Sequence, residues 1–230
     1  EAGYQDYAIS ILMDIALELE RVGQYNEALK TYSVIKFEAS NQDLPDSRSN
    51  NSHKVGFNHA ILLIKVGRFE EASEILQEVR RENTLATPSD LGFVNMAEGA
   101  VRGYLGDSEL AIYHFKQAID HFVHPIDKVE THLLLSQHIR ANKTGDLQDA
   151  VHITDDALVL LSGIDHVPFT KLMLTEQAEV FLALGRLSDA AKVAHEAIAI
   201  ETPEDRPIQS RLLQAVLADA ILLQNPQKAA

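Results

Sequence analysis

Histidine is the residue type in this sequence with the clearest capacity for chemistry, and five copies lie close together. They are His114, His121, His124, His132 and His138. His121 and His124 are three residues apart, a spacing that suits two metal ligands on one face of a helix. Pro125 follows at once and places His124 beyond a helix end, and no nearby carboxylate completes a recognisable ligand set. We therefore expect these histidines to be solvated or to cap helices, with no bound metal and no other cofactor.

Other residue patterns associated with catalysis are weak or missing. Residues 33–36 read Ser-Val-Ile-Lys and match a Ser-x-x-Lys nucleophile pattern, but they lie in mid-helix without the companion motifs. The sequence has no phosphate-binding glycine loop, HExxH pair, calcium loop or nucleophile elbow. Acidic pairs such as Glu70 and Glu71 follow the pattern of solvated helix faces. The sequence therefore predicts a protein without catalysis of its own; an enzyme site hidden in a concave repeat surface is the alternative.

The amino-acid composition excludes some classes of binding partner. The chain has 230 residues, of which 46% are apolar, enough for a buried core. Its formal charge of -14 repels phosphate backbones and anionic lipids, so we expect neither direct nucleic-acid binding nor insertion into a membrane. The longest apolar runs, at 60–64 and 157–161, are far shorter than the roughly 20 residues that cross a bilayer. The absence of cysteine suits the cytoplasm and extracytoplasmic compartments alike.

A glycine followed five residues later by an alanine recurs along the whole chain. The five copies are GQYNEA at 23–28, GRFEEA at 67–72, GDSELA at 106–111, GDLQDA at 145–150 and GRLSDA at 185–190. Their spacings of 44, 39, 39 and 40 residues indicate a stacked repeat array. Asn225 and Ala230 stand where a sixth copy would begin and end. Since the chain also begins at Glu1, we expect it to be a piece of a longer protein.

Each repeat is predicted to be a pair of helices. Apolar residues follow a helical period upstream of the glycine, as in 12–22, and again downstream, as in 69–79. Glycine suits the turn because it adopts the left-handed conformation freely, and alanine lets two helices approach closely. Prolines punctuate the junctions, and Thr87 with Pro88 reads as a helix cap followed by the first helical position. Residues 38–54 are expected to be a polar surface loop.

These junctions divide the single predicted domain, 1–230, into repeats. The expected boundaries are 9–45, 53–87, 90–124, 127–165, 169–203 and a partial repeat over 207–230.

This pattern resembles the tetratricopeptide repeat (TPR). The resemblance includes a small residue midway in the first helix, a large apolar residue two after the turn, and a further small or apolar residue twelve after it. The small residues are Ala16, Ala60, Gly99, Ala178 and Ala218, with His138 as the exception. The period of about 40 residues is similar to the longer-helix variety of bacterial regulators, which includes transcription activators, histidine kinases and diguanylate cyclases.

The resemblance implies an all-α fold, a right-handed α-solenoid of about five and a half antiparallel helix hairpins with roughly 11 helices. It also implies a concave face lined by the first helix of each hairpin, which binds a protein or peptide. The residues that the resemblance places on this face are Met13, Leu17, Arg21, Phe57, Ile61, Ile64, Lys65, Phe93, Met96, Tyr104, His132, Leu135, Ile139, Asn142 and Lys143.

The character of this face indicates which partner it would take. The fifth positions of the first helices lack the lysine and asparagine with which the family's chaperone-tail binders hold a carboxylate; they are Met13, Phe57, Met96, Leu135, Thr175 and Ala215. We expect instead an amphipathic helix, an extended segment or part of the chain itself. The alternative is that these side chains are core, which suits the third repeat, where the apolar residues of 93–101 all read as at least partly buried. The alternative function is a regulatory segment of a larger bacterial signalling protein that binds a ligand or self-associates.

Overall fold

The computed structural model describes residues 2–40, 52–81, 87–143, 146–200, 214–216 and 218. Over this part of the chain the predicted all-α fold is confirmed, with helices, turns and short connections and no strand. The principal helices are α1 (Ala2–Arg21), α2 (Tyr25–Ser40), α3 (Ser52–Lys65), α4 (Phe69–Arg81), α5 (Pro88–Tyr104), α6 (Ser108–His121), α7 (Pro125–Asn142), α8 (Leu147–Ser162), α9 (Val167–Ala183) and α10 (Leu187–Ala199). Of these helices, not one combines the length and the apolar character of a membrane span.

The chain divides into two compact units. The first unit, Glu1–His121, contains the hairpins α1/α2, α3/α4 and α5/α6. The second unit, Phe122–Ala230, contains the hairpins α7/α8 and α9/α10. In each unit, the second helix of one hairpin also packs against the first helix of the next. This order of contacts is the one that a stack of helical hairpins requires.

The repeated glycines end the first helix of their hairpins, as the sequence predicts. Their left-handed φ angles are +79° at Gly23, +78° at Gly67, +85° at Gly106 and +72° at Gly185. The next residue donates its backbone N–H back into the helix, as Gln24 does to the Leu19 carbonyl at 2.8 Å. This bond satisfies a carbonyl that the helix end would otherwise leave without a partner. Gly145 and Asn225 lie outside the described residues.

The repeated alanines are fully buried between helices, which confirms their predicted role. Ala28, Ala72, Ala111, Ala150 and Ala190 each have 0% of their surface exposed, while Ala230 is not among the described residues. The small residues of the first helices are also buried in four hairpins, at Ala16, Ala60, Gly99 and Ala178. Small side chains at these positions remove the bulk that would separate the helices.

Gly99 shows how close the approach is. A Cβ atom on Gly99 would lie 2.8 Å from Cδ1 and 2.9 Å from Cε1 of Phe115, which is closer than such atoms normally come. The Phe115 ring of α6 therefore occupies the space that a side chain on α5 would fill, and Phe115 is 3% exposed. The glycine and the aromatic ring are complementary parts of one contact.

Side chains cap three helix starts, and two of these caps, at Thr87 and His124, agree with the sequence analysis. The Thr87 side chain accepts the backbone N–H of Asp90 at 3.2 Å, the Asp90 carboxylate accepts the Thr87 N–H at 2.9 Å, and Pro88 begins α5. His124 caps α7, with its Nδ1 accepting the Ile126 N–H at 3.3 Å. His166 caps α9 in the same way, through the Phe169 N–H. Two histidines thus act as N-cap residues of helices.

One local prediction is wrong, and one apolar pattern is only partly buried. The predicted loop over 38–54 is wrong at both ends, because α2 continues to Ser40 and α3 begins at Ser52; residues 41–51 lie outside the described part. The apolar helical pattern over 12–22 also includes Ile15 and Val22, which are not core: they are 45% and 53% exposed, whereas Ala16 in the same pattern is buried.

Candidate binding surface

Seven of the predicted binding residues of the first unit, on α1, α3 and α5, are apolar or aromatic and are partly or largely exposed. Met13, Phe57, Ile61, Ile64 and Phe93 are partly buried, whereas Leu17 is 41% and Tyr104 is 66% exposed. We call these seven residues the first-helix surface. Met96 is 7% exposed and belongs to the core instead.

Contacts between aromatic rings fix part of the first-helix surface. The rings of Phe57 and Phe93 lie 5.3 Å apart at 53°, which joins α3 to α5. Tyr104 stacks on Phe69 of α4, with 4.5 Å between the ring centroids. These contacts connect Phe57, Phe93 and Tyr104 to neighbouring helices of the first unit.

Several residues of the first-helix surface also pack against the buried core of the first unit. Phe57, Ile61 and Ile64 lie against the buried core formed by residues such as Ala60 and Val101. Met13 packs against the neighbouring core around Ala16, Tyr32 and Leu62. These side chains therefore have one side in the core and another toward solvent, as binding residues on a rigid scaffold do.

Charged residues border the surface at one end. The Lys65 ammonium lies 2.7 Å from the Glu20 carboxylate, whose side chain is only 7% exposed, and this ion pair joins α3 to α1. Arg21 pairs with Glu18 at 2.6 Å within α1. The predicted polar contributors Arg21 and Lys65 therefore already have acidic partners in the chain. A bound segment would meet neutralised pairs rather than isolated cations at this end.

In α5 the core interpretation of the sequence is confirmed. Val94, Met96, Ala97 and Val101 are 7% exposed or less, and Phe93 and Ala100 are partly buried. A ligand could reach α5 through Phe93 and Tyr104 only in part, because both rings are engaged with neighbours.

The predicted positions of the second unit are mostly core. His132, Leu135 and Ile139 are 8%, 1% and 3% exposed, and only Asn142 and Lys143 are exposed at the end of α7. Lys143 adopts a left-handed φ of 51° and caps that helix. Burial lowers the pKa of His132, which favours its neutral form. Among the described residues, the apolar positions predicted for binding in the second unit are therefore buried, whereas most of those in the first unit are partly or largely exposed.

A buried polar cluster in the second unit was not predicted from the sequence. Glu176, 3% exposed on α9, accepts a hydrogen bond from Ser136 Oγ at 3.0 Å and two from Arg140 of α7, at 3.0 and 2.9 Å. Arg140 also pairs with Glu179 at 2.5 Å. Burial acts to lower the pKa of Arg140, and the two carboxylates overcome it and raise that pKa. The guanidinium is occupied by protein carboxylates, so the cluster holds α7 to α9.

Neighbouring polar residues are satisfied in a similar way. Gln177 donates to Asp155 Oδ1 at 2.6 Å, which joins α9 to α8. Lys171, 4% exposed, donates to the Ile200 carbonyl at 3.0 Å near the end of α10. Buried polar groups with such partners stabilise a particular packing and need no substrate to explain them. A signal was present in the sequence, because Lys171, Glu176, Gln177 and Glu179 place charged and amide groups among the apolar residues of α9.

The histidine cluster of the sequence is dispersed over both units. His114, in the first unit, lies 3.2 Å from Asn95 Oδ1 and 3.2 Å from Glu98 Oε2, and His121 Nδ1 lies 2.6 Å from the Gln117 carbonyl. His124 caps a helix and His132 is buried in the second unit. Within the described residues, no group of three or more His, Cys, Asp or Glu side chains has the arrangement of a metal site.

These features define a class of protein: a stack of helical hairpins in which left-handed glycines close the turns and buried alanines bring the helices together. No family model matches the sequence, and no curated protein matches it. Solved structures do match it, and they share this architecture.

The chain is similar to a Podospora anserina putative kinesin light chain with TPR-like repeats, with TM-score 0.67 and 19% identity over 85% of this chain and 95% of that one. It is similar to a signal-transduction ATPase with a tetratricopeptide repeat sensor from Pyrococcus horikoshii, with TM-score 0.70 and 11% identity over 92% of this chain and 31% of that one. It also resembles a chain of the APC/C hetero-tetramer Cut9-Hcn1, with TM-score 0.64, 19% identity, and coverage of 90% and 36%. The chain therefore has the TPR-like fold, which confirms the resemblance inferred from the repeat motif.

Proposed function

We propose that the chain is a non-catalytic scaffold that binds a protein or peptide segment on the first-helix surface. The observation that carries this proposal is the set of partly or largely exposed apolar side chains on α1, α3 and α5, in which Met13 and Phe57, and likewise Leu17 and Ile61, share a register position of the repeat. Surface of this kind on a rigid scaffold is typical of binding sites. The structural neighbour Cut9-Hcn1 is itself a complex of two proteins, which supports the same role.

The chemistry of the surface selects an apolar segment. Leu17 and Ile61 offer aliphatic contacts, and Phe57 and Tyr104 offer aromatic ones. Such a surface accepts the apolar face of an amphipathic helix or the alternate side chains of an extended segment. The proposed site lies in the first unit alone, because the corresponding residues of the second unit are buried.

A second candidate function has its own support. The chain matches only 31% of the Pyrococcus horikoshii ATPase, whose tetratricopeptide repeats are described as a sensor. It also matches RapI, with TM-score 0.51 and 11% identity over 94% of this chain and 74% of that one. The alternative is therefore a sensory segment of a larger signalling protein. An output domain encoded in the same open reading frame would favour this alternative, and a reading frame without one would count against it.

Selection of peptides from a random display library tests the first proposal. We expect the selected peptides to lose about tenfold or more in affinity for the Leu17→Ser and Phe57→Ala variants, because burial of each side chain stabilises the complex. Val159→Ser is the matched control, since Val159 is 71% exposed on α8, and it should leave affinity unchanged. Circular dichroism should show the same helicity in all variants. Peptides that bind the Leu17→Ser and Phe57→Ala variants as tightly as the unaltered chain would refute the proposed surface.

A further inference from the structure

The turn between α5 and α6 carries an aromatic ring with one open face. Tyr104 stacks on Phe69 of α4, with 4.5 Å between the ring centroids and 9° between the ring planes, so one face of its ring is covered. Tyr104 is nevertheless 66% exposed, which leaves the other face of the ring to solvent. The open face of an aromatic ring attracts a cation, and a guanidinium group above all.

Two exposed acidic residues follow this ring across the turn. Asp107 and Glu109 lie three and five residues after Tyr104. Asp107 Oδ1 accepts the backbone N–H of Leu110 at 3.4 Å, a contact that leaves the carboxylate charged. Within the part of the chain that the structure describes, neither carboxylate forms an ion pair with a lysine or an arginine. Arg102 lies about 200° around α5 from Tyr104, because successive residues of a helix are about 100° apart.

The other turns of the repeat carry a cation at this place. The residues two before and one after each turn glycine are Arg21 and Gln24, Lys65 and Arg68, Tyr104 and Asp107, Lys143 and Asp146, and Ala183 and Arg186. Four of these five pairs contain a lysine or an arginine, and the pair at the α5/α6 turn does not. The α5/α6 turn therefore has an exposed aromatic ring and an acid where the repeat otherwise has a positive charge.

The α9/α10 turn shows how the chain holds such a cation. Arg186 Cζ lies 4.4 Å from the centroid of the Phe181 ring, and Arg186 Nε donates a hydrogen bond to Asp189 Oδ2 at 2.7 Å. One aromatic face and one carboxylate thus bind a guanidinium group of the same chain. The α5/α6 turn has the ring and the carboxylates without the guanidinium group.

We propose that the segment bound on the first-helix surface carries an arginine that binds at the α5/α6 turn. Its guanidinium group lies over the open face of Tyr104 and forms ion pairs with Asp107 and Glu109. Arginine fits this place better than lysine, because its planar group stacks on a ring and binds a carboxylate through two N–H groups. The inference rests on the proposed function, since Tyr104 belongs to the first-helix surface.

The charge and the geometry of the first unit agree with this occupant. The formal charge of -14 repels an acidic segment and attracts a basic one. Phe93 and Tyr104 are eleven residues apart on α5, which is about 16 Å along the helix. We therefore expect the arginine toward one end of the bound segment and its apolar anchors toward the other.

Peptides selected on the whole chain from a random display library serve as the probe. The tightest binder is synthesised with a fluorescent label in two forms, one with its arginine and one with citrulline, which has a similar shape without the charge. Fluorescence anisotropy gives the affinity of both forms for the unaltered chain, for the double variant Asp107→Asn with Glu109→Gln, and for Tyr104→Leu. Asp120→Asn is the matched control, because Asp120 is an exposed acid at the other end of α6.

We expect arginine to be enriched among the selected peptides and the citrulline form to bind the unaltered chain about tenfold more weakly. The double variant should bind the two forms equally. Tyr104→Leu should reduce the difference to about threefold, because leucine has no aromatic face for the cation. Asp120→Asn should keep the full difference, and added salt should reduce it. Circular dichroism should show the same helicity in all variants.

Three results would overturn the arginine site. They are binders without enrichment of arginine, equal affinity of the two peptide forms for the unaltered chain, and a difference that persists in the double variant. The last result would assign the preference to the overall charge of the chain. If the same binders still lose affinity for Leu17→Ser, the first-helix surface stands and the arginine site alone fails. A library that yields no binder overturns both proposals.

Discussion

Replacement of Glu176 by alanine is expected to lower the free energy of unfolding of the second unit by about 3 to 5 kcal/mol. Glu176 is 3% exposed and accepts hydrogen bonds from Ser136 and Arg140. Its removal leaves a half-buried guanidinium and a buried hydroxyl without their main partner. Because Glu179 still contacts Arg140, the loss should lie toward the lower end of that range. Urea denaturation followed by circular dichroism measures it.

Two further variants serve as controls for the unfolding measurement on Glu176→Ala. Glu196→Ala removes an exposed carboxylate, 3.9 Å from Lys192, and should change the free energy of unfolding by less than about 1 kcal/mol. Glu176→Gln keeps an acceptor for Ser136 but removes the charge, and its effect should fall between the other two. If Glu176→Ala were as stable as Glu196→Ala, the cluster would not hold α7 to α9.

Replacement of Phe115 by alanine is expected to lower the free energy of unfolding by about 3 to 5 kcal/mol, because it leaves a cavity against Gly99. The same contact decides whether the substitution Gly99→Ala raises or lowers the free energy of unfolding. In the unaltered chain, Gly99→Ala should destabilise the fold, since its Cβ would meet the Phe115 ring at 2.8 Å. In the Phe115→Ala background, Gly99→Ala should stabilise it by about 0.5 to 1 kcal/mol through higher helix propensity.

A double-mutant cycle measures this coupling between Gly99 and Phe115. Tyr113→Ala is the control on the same helix, because Tyr113 is 55% exposed, and it should cost no more than about 0.5 kcal/mol. Additive effects of the Gly99 and Phe115 changes would show that the glycine does not serve the close approach of α5 and α6.

The repeat itself was predictable from the sequence because its residues act locally. Gly67 must adopt a left-handed conformation wherever its hairpin lies, and Ala72 must be small to let two helices meet. Thr87 and Pro88 specify a helix start through neighbouring backbone groups. Each of these roles depends on a few residues of sequence, so the pattern alone predicts it.

Which of the predicted binding residues are exposed and which are buried was not predictable in the same way. Phe57 and Leu135 occupy the same position of their repeats, yet Phe57 is partly exposed and Leu135 is 1% exposed. The difference comes from how far neighbouring helices cover each side chain, which the register does not encode. The Arg140 and Glu176 pair likewise joins residues 36 positions apart, and only the packing of α7 on α9 brings them together.

The central claim, that small side chains at fixed repeat positions let helix pairs pack closely, is tested most directly by substituting those alanines. The measurement is the free energy of unfolding of five single variants, Ala28→Leu, Ala72→Leu, Ala111→Leu, Ala150→Leu and Ala190→Leu, beside the exposed controls Ala141→Leu and Ala183→Leu. We predict losses of about 1 to 3 kcal/mol at each of the five positions, from overpacking, and changes within about 0.5 kcal/mol at the controls. Leucine tolerated at the five positions as well as at the controls would contradict the account.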